Sequence, residues 1–252
     1  MKTIIIIVIV CAFILFYRKY KSHYPKMSIP KIIHQTAPAD MNKWHKIWKP
    51  SQKTWKDKFP DFEYIMWTDE DLDAFIRTEY EWFYDTYKSY DVNIKRIDAA
   101  RYFILFHYGG MYADMDMSSN ANFWYQIPQD KVSIAANPWP EWMFWKARIQ
   151  NALMISPKNH PVWKEVWKAL EEHKDDEDVL DATGPKLIEG VYNKFPEMFN
   201  VLKKVEFIQS TNLTYNPIIK LDDPDPAFVE HHATTSWGSG KLNSMYKMFN
   251  NM

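Results

Sequence analysis

One cysteine in 252 residues, Cys11, leaves the rest of the chain unable to form an internal disulfide, so a disulfide-stapled scaffold is excluded. An excess of charge of one sign is missing as well. With 31 basic against 32 acidic residues the formal net charge is -1, so no global field recruits nucleic acid or an acidic surface, and the chain reads as carrying no basic patch. Internal repeats and low-complexity tracts are absent, and no His-rich cluster precedes the acidic residues of interest. The chain also lacks an apolar run of full membrane-spanning length. Every residue from Ile4 to Phe16 is apolar, and Thr3 and Tyr17 extend the run to about 15 residues, short of the roughly 20 that cross a bilayer as a helix.

That run is nevertheless the first feature present. Arg18, Lys19, Tyr20 and Lys21 come directly after it with no small-x-small cleavage pattern, which fits an uncleaved single-pass anchor over residues 1–17. The same charges outnumber those before the run, so the positive-inside rule favours a cytoplasmic position for the chain beyond residue 17. A polar stem, residues 18–28, leads to one large α/β domain over residues 29–252, long enough to bury a sizeable core. Aromatic residues make up 17% of the chain, which suits core packing and, for some of them, stacking on flat ligands or sugars.

Lys31 to His34 and Phe62 to Trp67 read as buried strands, with the Trp-rich stretch Asn42 to Phe59 between them and Pro50 expected to break it into two helices. Thr68 and Asp71 make a capping-box start for a helix through about Arg77. A longer helix is expected from about Ile94 to Tyr108, stopped by Gly109 and Gly110. Met111 to Met117 then reads as a strand. Further strands are expected at Val132–Ala136, Ala152–Ile155 and Val205–Ile208, alternating with helices near Pro161–His173 and Pro185–Phe195. This alternation argues for a mostly parallel sheet flanked by helices. The acidic run Asp175 to Asp178 reads as a solvated loop.

The chemistry concentrates between Lys95 and Met117. If Asp114 and Asp116 lie on a strand they project to one side, within reach of one ion. Adjacent carboxylates repel, and a hard oxygen pair of this kind suits Mg²⁺ or Mn²⁺, with positions left for diphosphate oxygens. Asp98 and Arg101, three residues apart on the preceding helix, share a face. They form either a surface salt bridge or a pair that reaches sugar hydroxyls.

Four ordered motifs carry a resemblance: Ile29-Pro-Lys-Ile-Ile-His-Gln-Thr36, Trp67-Thr-Asp-Glu-Asp71, Arg96-x-Asp-x-x-Arg101-Tyr102 and Gly109-Gly-Met-Tyr-x-Asp-x-Asp116. Together they resemble glycosyltransferase family 32, the DXD-containing sugar transferases, over nearly all of the chain after the stem. Tyr80, Trp82, Phe83 and the Arg101–Phe103 and His107–Gly110 stretches look most like fungal inositol phosphorylceramide mannosyltransferases; the outer-chain α-1,6-mannosyltransferases share the general motifs. The resemblance implies a GT-A fold, the Rossmann-like architecture of nucleotide-diphospho-sugar transferases. It also implies retention of anomeric configuration, a GDP-mannose donor with UDP-sugars as the alternative, a glycolipid or glycan acceptor, and a Golgi or ER lumenal position at odds with the flanking charges.

By the same resemblance Asp114 contacts the donor, Asp116 ligates the metal, and Asp98 and Arg101 hold the donor sugar. His34, Gln35 and Thr36 line the nucleotide pocket, although residue chemistry alone makes His34 and Gln35 a polar strand cap. Asn151 and Thr183 lie near sugar and acceptor, Thr183 being equally readable as a helix N-cap. His231 or His232, with His232 preferred, completes the metal or diphosphate shell, and Trp237 covers the donor. Met117-Ser-Ser-Asn120 departs from the family's acidic, cysteine-containing continuation. The stretch Asn137 to Trp145 reads as an acceptor loop, a membrane-facing surface or a packed loop, and Asn212-Leu-Thr214 is a glycosylation sequon. A non-catalytic lectin-like protein and a metal-dependent phosphohydrolase or nuclease are the rivals. Intact Asp98, Arg101, Asp114 and Asp116 argue against the first, and the sparse ligand set against the second.

Overall fold

The computed structural model describes residues 28–136, 148–202, 208–210, 227–232 and 234. The expected anchor, nearly all of the stem, the stretch Asn137 to Trp145, Asn212 and Trp237 lie outside the described residues. Among the described residues no helix is long and apolar enough to cross a membrane.

Strand β1 (Ile32–Thr36) pairs in parallel with β2 (Glu63–Trp67) on one side and β3 (Gly110–Ala113) on the other. With β5 (Val132–Ala136), β6 (Ile149–Ser156) and β7 (Phe199–Leu202) they form a six-stranded sheet in the order β2-β1-β3-β6-β5-β7. Only β6 runs against the others, so the sheet is mostly parallel as expected. A second sheet, β4-β9-β8, joins β4 (Met117–Ser119), β8 (Ile208–Ser210) and β9 (Val229–His231).

Helix α1 (Trp48–Lys58) corrects the reading of Pro50. Proline sits third in the helix, inside the first turn, where backbone N–H groups have no carbonyl partner in the helix, so it interrupts nothing. Helix α2 (Asp69–Glu79) starts with the expected Thr68–Asp71 capping box, both reciprocal bonds being present. The aromatic stretch after it forms α3 (Glu81–Ser89), a helix that the sequence pattern does not announce. Helix α4 (Asn93–His107) is buried on almost every side, including Lys95, Asp98 and Arg101. Helices α5 (Val162–Glu172), α6 (Val179–Ala182) and α7 (Pro185–Lys194) complete the helical layer. Strand β7 was also not anticipated, and of the expected Val205–Ile208 strand only Ile208 is among the described residues, as the first residue of β8.

The strand period of two sorts the core into two layers. Tyr112, Val132, Ile134 and Met154 face α2, α3, α4, α5 and α7. Met111, Ala113, Ala135, Leu153 and Ile155 face the other way, onto Trp55 and Phe59 of the α1 region with Phe123 and Val229. Trp55 also donates its indole N–H to the Met117 carbonyl at 2.6 Å, which fixes α1 against β4.

Candidate active site

The end of α4 sets the site. Gly109 and Gly110 take φ of 68° and 91°, left-handed backbone that suits glycine, and a Cβ on Gly110 would stand 2.6 Å from the Ile32 carbonyl oxygen. The chain thereby reverses from α4 straight into β3. That strand stops at Ala113, and the Met117 N–H bonds the Asp114 carbonyl at 3.0 Å. Asp114 therefore opens a tight turn between β3 and β4, and Asp116 lies within it. This corrects the continuous Met111–Met117 strand. The two carboxylates still lie at one place, beyond the carboxyl ends of β1 and β3, where open α/β sheets bind ligands.

Arg101 gathers the acidic groups. Its Nη2 lies 2.6 Å from Asp98 Oδ1, its Nη1 lies 3.3 Å from Asp114 Oδ1, and Nη1 also donates to the Asn151 carbonyl at 2.9 Å. The guanidinium rests 4.6 Å over the Tyr112 ring. Side chains of Arg101 and Asp98 are 3% and 7% exposed, so the surface-salt-bridge alternative fails: this is a buried pair with Asp98 behind the guanidinium. Burial pushes the Asp98 carboxyl up to about 7 even with Arg101 pulling it down. Burial also raises Asp114, against the pull of Arg101. Between two carboxylates, Arg101 stays charged although burial alone disfavours its cation.

Tyr112 is the residue that sequence reasoning passed over. Its buried hydroxyl donates to Asp114 Oδ1 at 2.9 Å and lies 2.9 Å from Thr36 Oγ1. The available signal was its spacing: two residues before Asp114, it shares that residue's face. Thr234 was missed too. Its N–H and Oγ1–H donate to Asp116 Oδ2 at 2.8 and 3.0 Å.

Other expected residues divide by orientation. Thr36 reaches the cluster through Tyr112. Gln35 is buried, donating to the Asp114 carbonyl at 3.1 Å and accepting from the Tyr64 hydroxyl at 2.6 Å. His34 is buried as well; its Nδ1 accepts the Trp67 indole N–H at 3.2 Å and its Nε2 lies 3.0 Å from the Gly109 carbonyl. Neither side chain lines an open pocket: both brace the backbone that carries Asp114. Asn151 donates to the Tyr102 hydroxyl at 3.2 Å within the same buried cluster. Thr183 caps nothing with its side chain, since Gly184 is the N-cap of α7 and Pro185 its first residue. Its carbonyl accepts from Tyr102 at 2.8 Å.

Of the two histidines, the structure brings His231 to the acidic turn, with Nε2 3.5 Å from Asp116 Oδ1. The preferred His232 points elsewhere: its Nε2 lies 2.7 Å from Ser118 Oγ. Adjacent residues at a strand end take opposite faces, so only one side chain can meet the Asp116 carboxylate; His232 reaches Asp116 through its backbone N–H, which donates to the Asp116 carbonyl at 2.9 Å. Burial alone would raise Asp116, but His231 and Thr234 hold it well below the usual carboxylate range.

Among the described residues no three His, Cys, Asp or Glu side chains converge as a complete metal cage. The donor set nevertheless fits Mn²⁺ or Mg²⁺, which bind through one or two carboxylates plus substrate phosphates. The gap between Asp116 Oδ1 and His231 Nε2, 3.5 Å, is longer than a good hydrogen bond and close to the spacing of neighbouring ligands on one ion.

Comparison with known proteins places this geometry. The family model described as "glycosyltransferase sugar-binding region containing DXD motif" matches residues 45–138. A mannosyl phosphorylinositol ceramide synthase of Saccharomyces cerevisiae is 31% identical over 90% of this chain and 58% of its own. Inositol phosphoceramide mannosyltransferase 3 of Schizosaccharomyces pombe is 36% identical over 68% of this chain and 47% of its own. The chain thus spans about half the length of these relatives. The solved PaToxG glycosyltransferase shares the fold, with a TM-score of 0.52 at 15% identity, covering 74% of this chain and 78% of that one. The Asp114–Asp116 pair lies in the matched region, so residues 45–138 carry the glycosyltransferase sugar-binding region that contains the DXD motif.

Proposed function

We propose that the chain is a metal-dependent glycosyltransferase that moves a hexose, mannose from GDP-mannose in the first instance, onto a glycolipid or glycan acceptor with retention of configuration. The observation that carries this reading is the buried Asp98–Arg101–Asp114 cluster next to Asp116, at the carboxyl end of the parallel strands. Mannose and an inositol-phosphate lipid acceptor are supported by what the fungal relatives are named for. Residues 29–252 act as one catalytic domain, held to the membrane by residues 1–17.

Asp116 with His231 beside it would hold Mn²⁺ or Mg²⁺, which supplies charge neutralisation for the departing diphosphate. The protein's own part is positioning. Asp98 fixes the guanidinium plane of Arg101, and Arg101 with Tyr112 fixes Asp114 toward the donor. A carboxylate held in place before the reaction needs little rearrangement during it. Among the described residues no further carboxylate joins this cluster as a nucleophile, so substitution takes place on the face that the diphosphate leaves.

The test is a thermal-shift and turnover series with GDP-mannose, UDP-hexoses and Mn²⁺, on the native chain and on Asp116→Ala. A ligand that binds only the folded state raises its stability. GDP-mannose with Mn²⁺ should raise the native Tm and release GDP slowly, and Asp116→Ala should do neither while keeping its fold. A response to UDP-hexoses alone would transfer the reading to that donor class. Silence with every nucleotide sugar would sink it and favour a binding module without activity.

A further inference from the structure

The outer face of α1 carries a feature that the sugar-transfer site does not use. Between Met41 and Lys58 the sequence places six lysines, at 43, 46, 49, 53, 56 and 58, against one acid, Asp57, in a chain of formal net charge -1. All six are exposed. This corrects the reading of no basic patch: the lysines stand close together in the sequence, and the fold exposes all of them. Lys49, Lys53 and Lys56, four and three residues apart, line one stripe of the helix, and Lys46 stands just ahead of it. The opposite side, Ser51 and Trp55, is buried. Lys53 pairs with Asp57 and Lys56 lies 4.3 Å over the Tyr64 ring. Lys43, Lys46, Lys49 and Lys58 meet no acidic side chain at ion-pair distance among the described residues. Apolar groups are interleaved: Met41 is 62% exposed, and Trp44, Ile47 and Trp48 are half-buried.

We propose that this face docks on an anionic bilayer surface, the lysines meeting headgroup charges and Met41 entering the interface. Charge complementarity identifies the occupant. Segments that lie on membranes combine lysine with Trp and other apolar residues, and lysine stems reach over an apolar surface while their charges stay wet. Nucleic-acid readers lean on arginine forks, and residues 41–58 contain no arginine. Because Trp55 and Ser51 of α1 bond Met117 and Ser118 of β4, docking holds the strand after Asp116 at a fixed distance from the lipid. Such docking is independent of which donor or acceptor the site uses.

The test acylates lysines on the full chain mixed with vesicles and reads each site by mass spectrometry. On vesicles with about 30% phosphatidylserine, labelling of Lys43, Lys46, Lys49 and Lys53 should fall about tenfold relative to neutral phosphatidylcholine vesicles, given the pull of a negative surface on each lysine. Roughly 0.5 M salt should restore it by screening. Lys164, exposed on α5 in the opposite layer, should label equally on both. The apolar N-terminal run is common to both arms and cancels. Replacing Lys46, Lys49 and Lys53 together by Gln should remove the protection of Lys43, and replacing them by Arg should keep it. Equal labelling on the two vesicles overturns the proposal, as does full protection by polyuridylate together with no lipid preference.

Discussion

At the residue scale the site depends on Tyr112, a side chain that a motif of carboxylates does not advertise. Its hydroxyl bonds Asp114 and Thr36 while its ring lies under Arg101. Tyr112→Phe keeps the ring and removes only the bonds. A hydrogen bond to a charged group contributes about 1.5–3 kcal/mol, so kcat/KM for transfer or donor hydrolysis should fall about 10- to 100-fold with an unchanged circular dichroism spectrum. Unchanged turnover would mean that Asp114 needs no help from the Tyr112 hydroxyl. Arg101→Lys makes a sharper case. An ammonium cannot span Asp98, Asp114 and the Asn151 carbonyl as a planar fork does, so activity should drop by at least about 100-fold although the charge is retained. Rescue of Arg101→Lys to near-native turnover by Asp98→Asn would argue that charge balance, rather than the fork, is what the cluster needs.

At the scale of elements the two glycine contexts call for opposite signs. Gly110 has φ of 91° and a carbonyl 2.6 Å from any added Cβ, whereas Gly190, in α7, has nothing within 4 Å of one. Gly110→Ala should therefore lower stability by about 2–4 kcal/mol through strain and clash, and Gly190→Ala should raise it by about 0.5–1 kcal/mol; denaturant midpoints measure both. Long signals were legible. The capping box of α2, the α4 helix ending at the diglycine, and β5 all stand where their residues place them. The Asp-Met-Asp stretch misled because alternation is also what a tight turn between two short strands presents, and the bond from Met117 to Asp114 that closes the turn has no signature of its own. Helix α3 escaped because Tyr80 serves as both the C-cap of α2 and the N-cap of α3, with no side-chain capping bond to announce the start. Strand β7 is four residues long, too short for its alternation to stand out.

At the scale of the whole molecule, pieces remote in sequence meet at one place: Thr36, Arg101, Asp114, Asn151, His231 and Thr234. Sequence order named most of them but could not orient them, which is why His231 and His232 could not be told apart and why His34 was assigned to a pocket. His34 instead ties the β2 end, through Trp67, to the diglycine turn. Burial lowers its pKa to about 4 from the usual 6.5. The unfolded chain thus takes up a proton between those values that the folded chain refuses, and stability present above pH 6.5 is lost as pH falls toward 4. From pH 7.5 to 4.5 this one group should cost the native protein roughly 2–3 kcal/mol. The raised carboxyl of Asp98 works in the other direction, stabilising the fold as pH falls, so the native curve alone cannot isolate either group. His34→Gln keeps an amide able to accept from Trp67 and donate to Gly109, and leaves Asp98 in place. Subtracting its pH–stability curve from the native one, by urea unfolding, should leave a slope that appears below pH 6.5 and flattens near 4. Parallel curves would mean that His34 titrates freely in the folded state and does not brace the turn that carries Asp114.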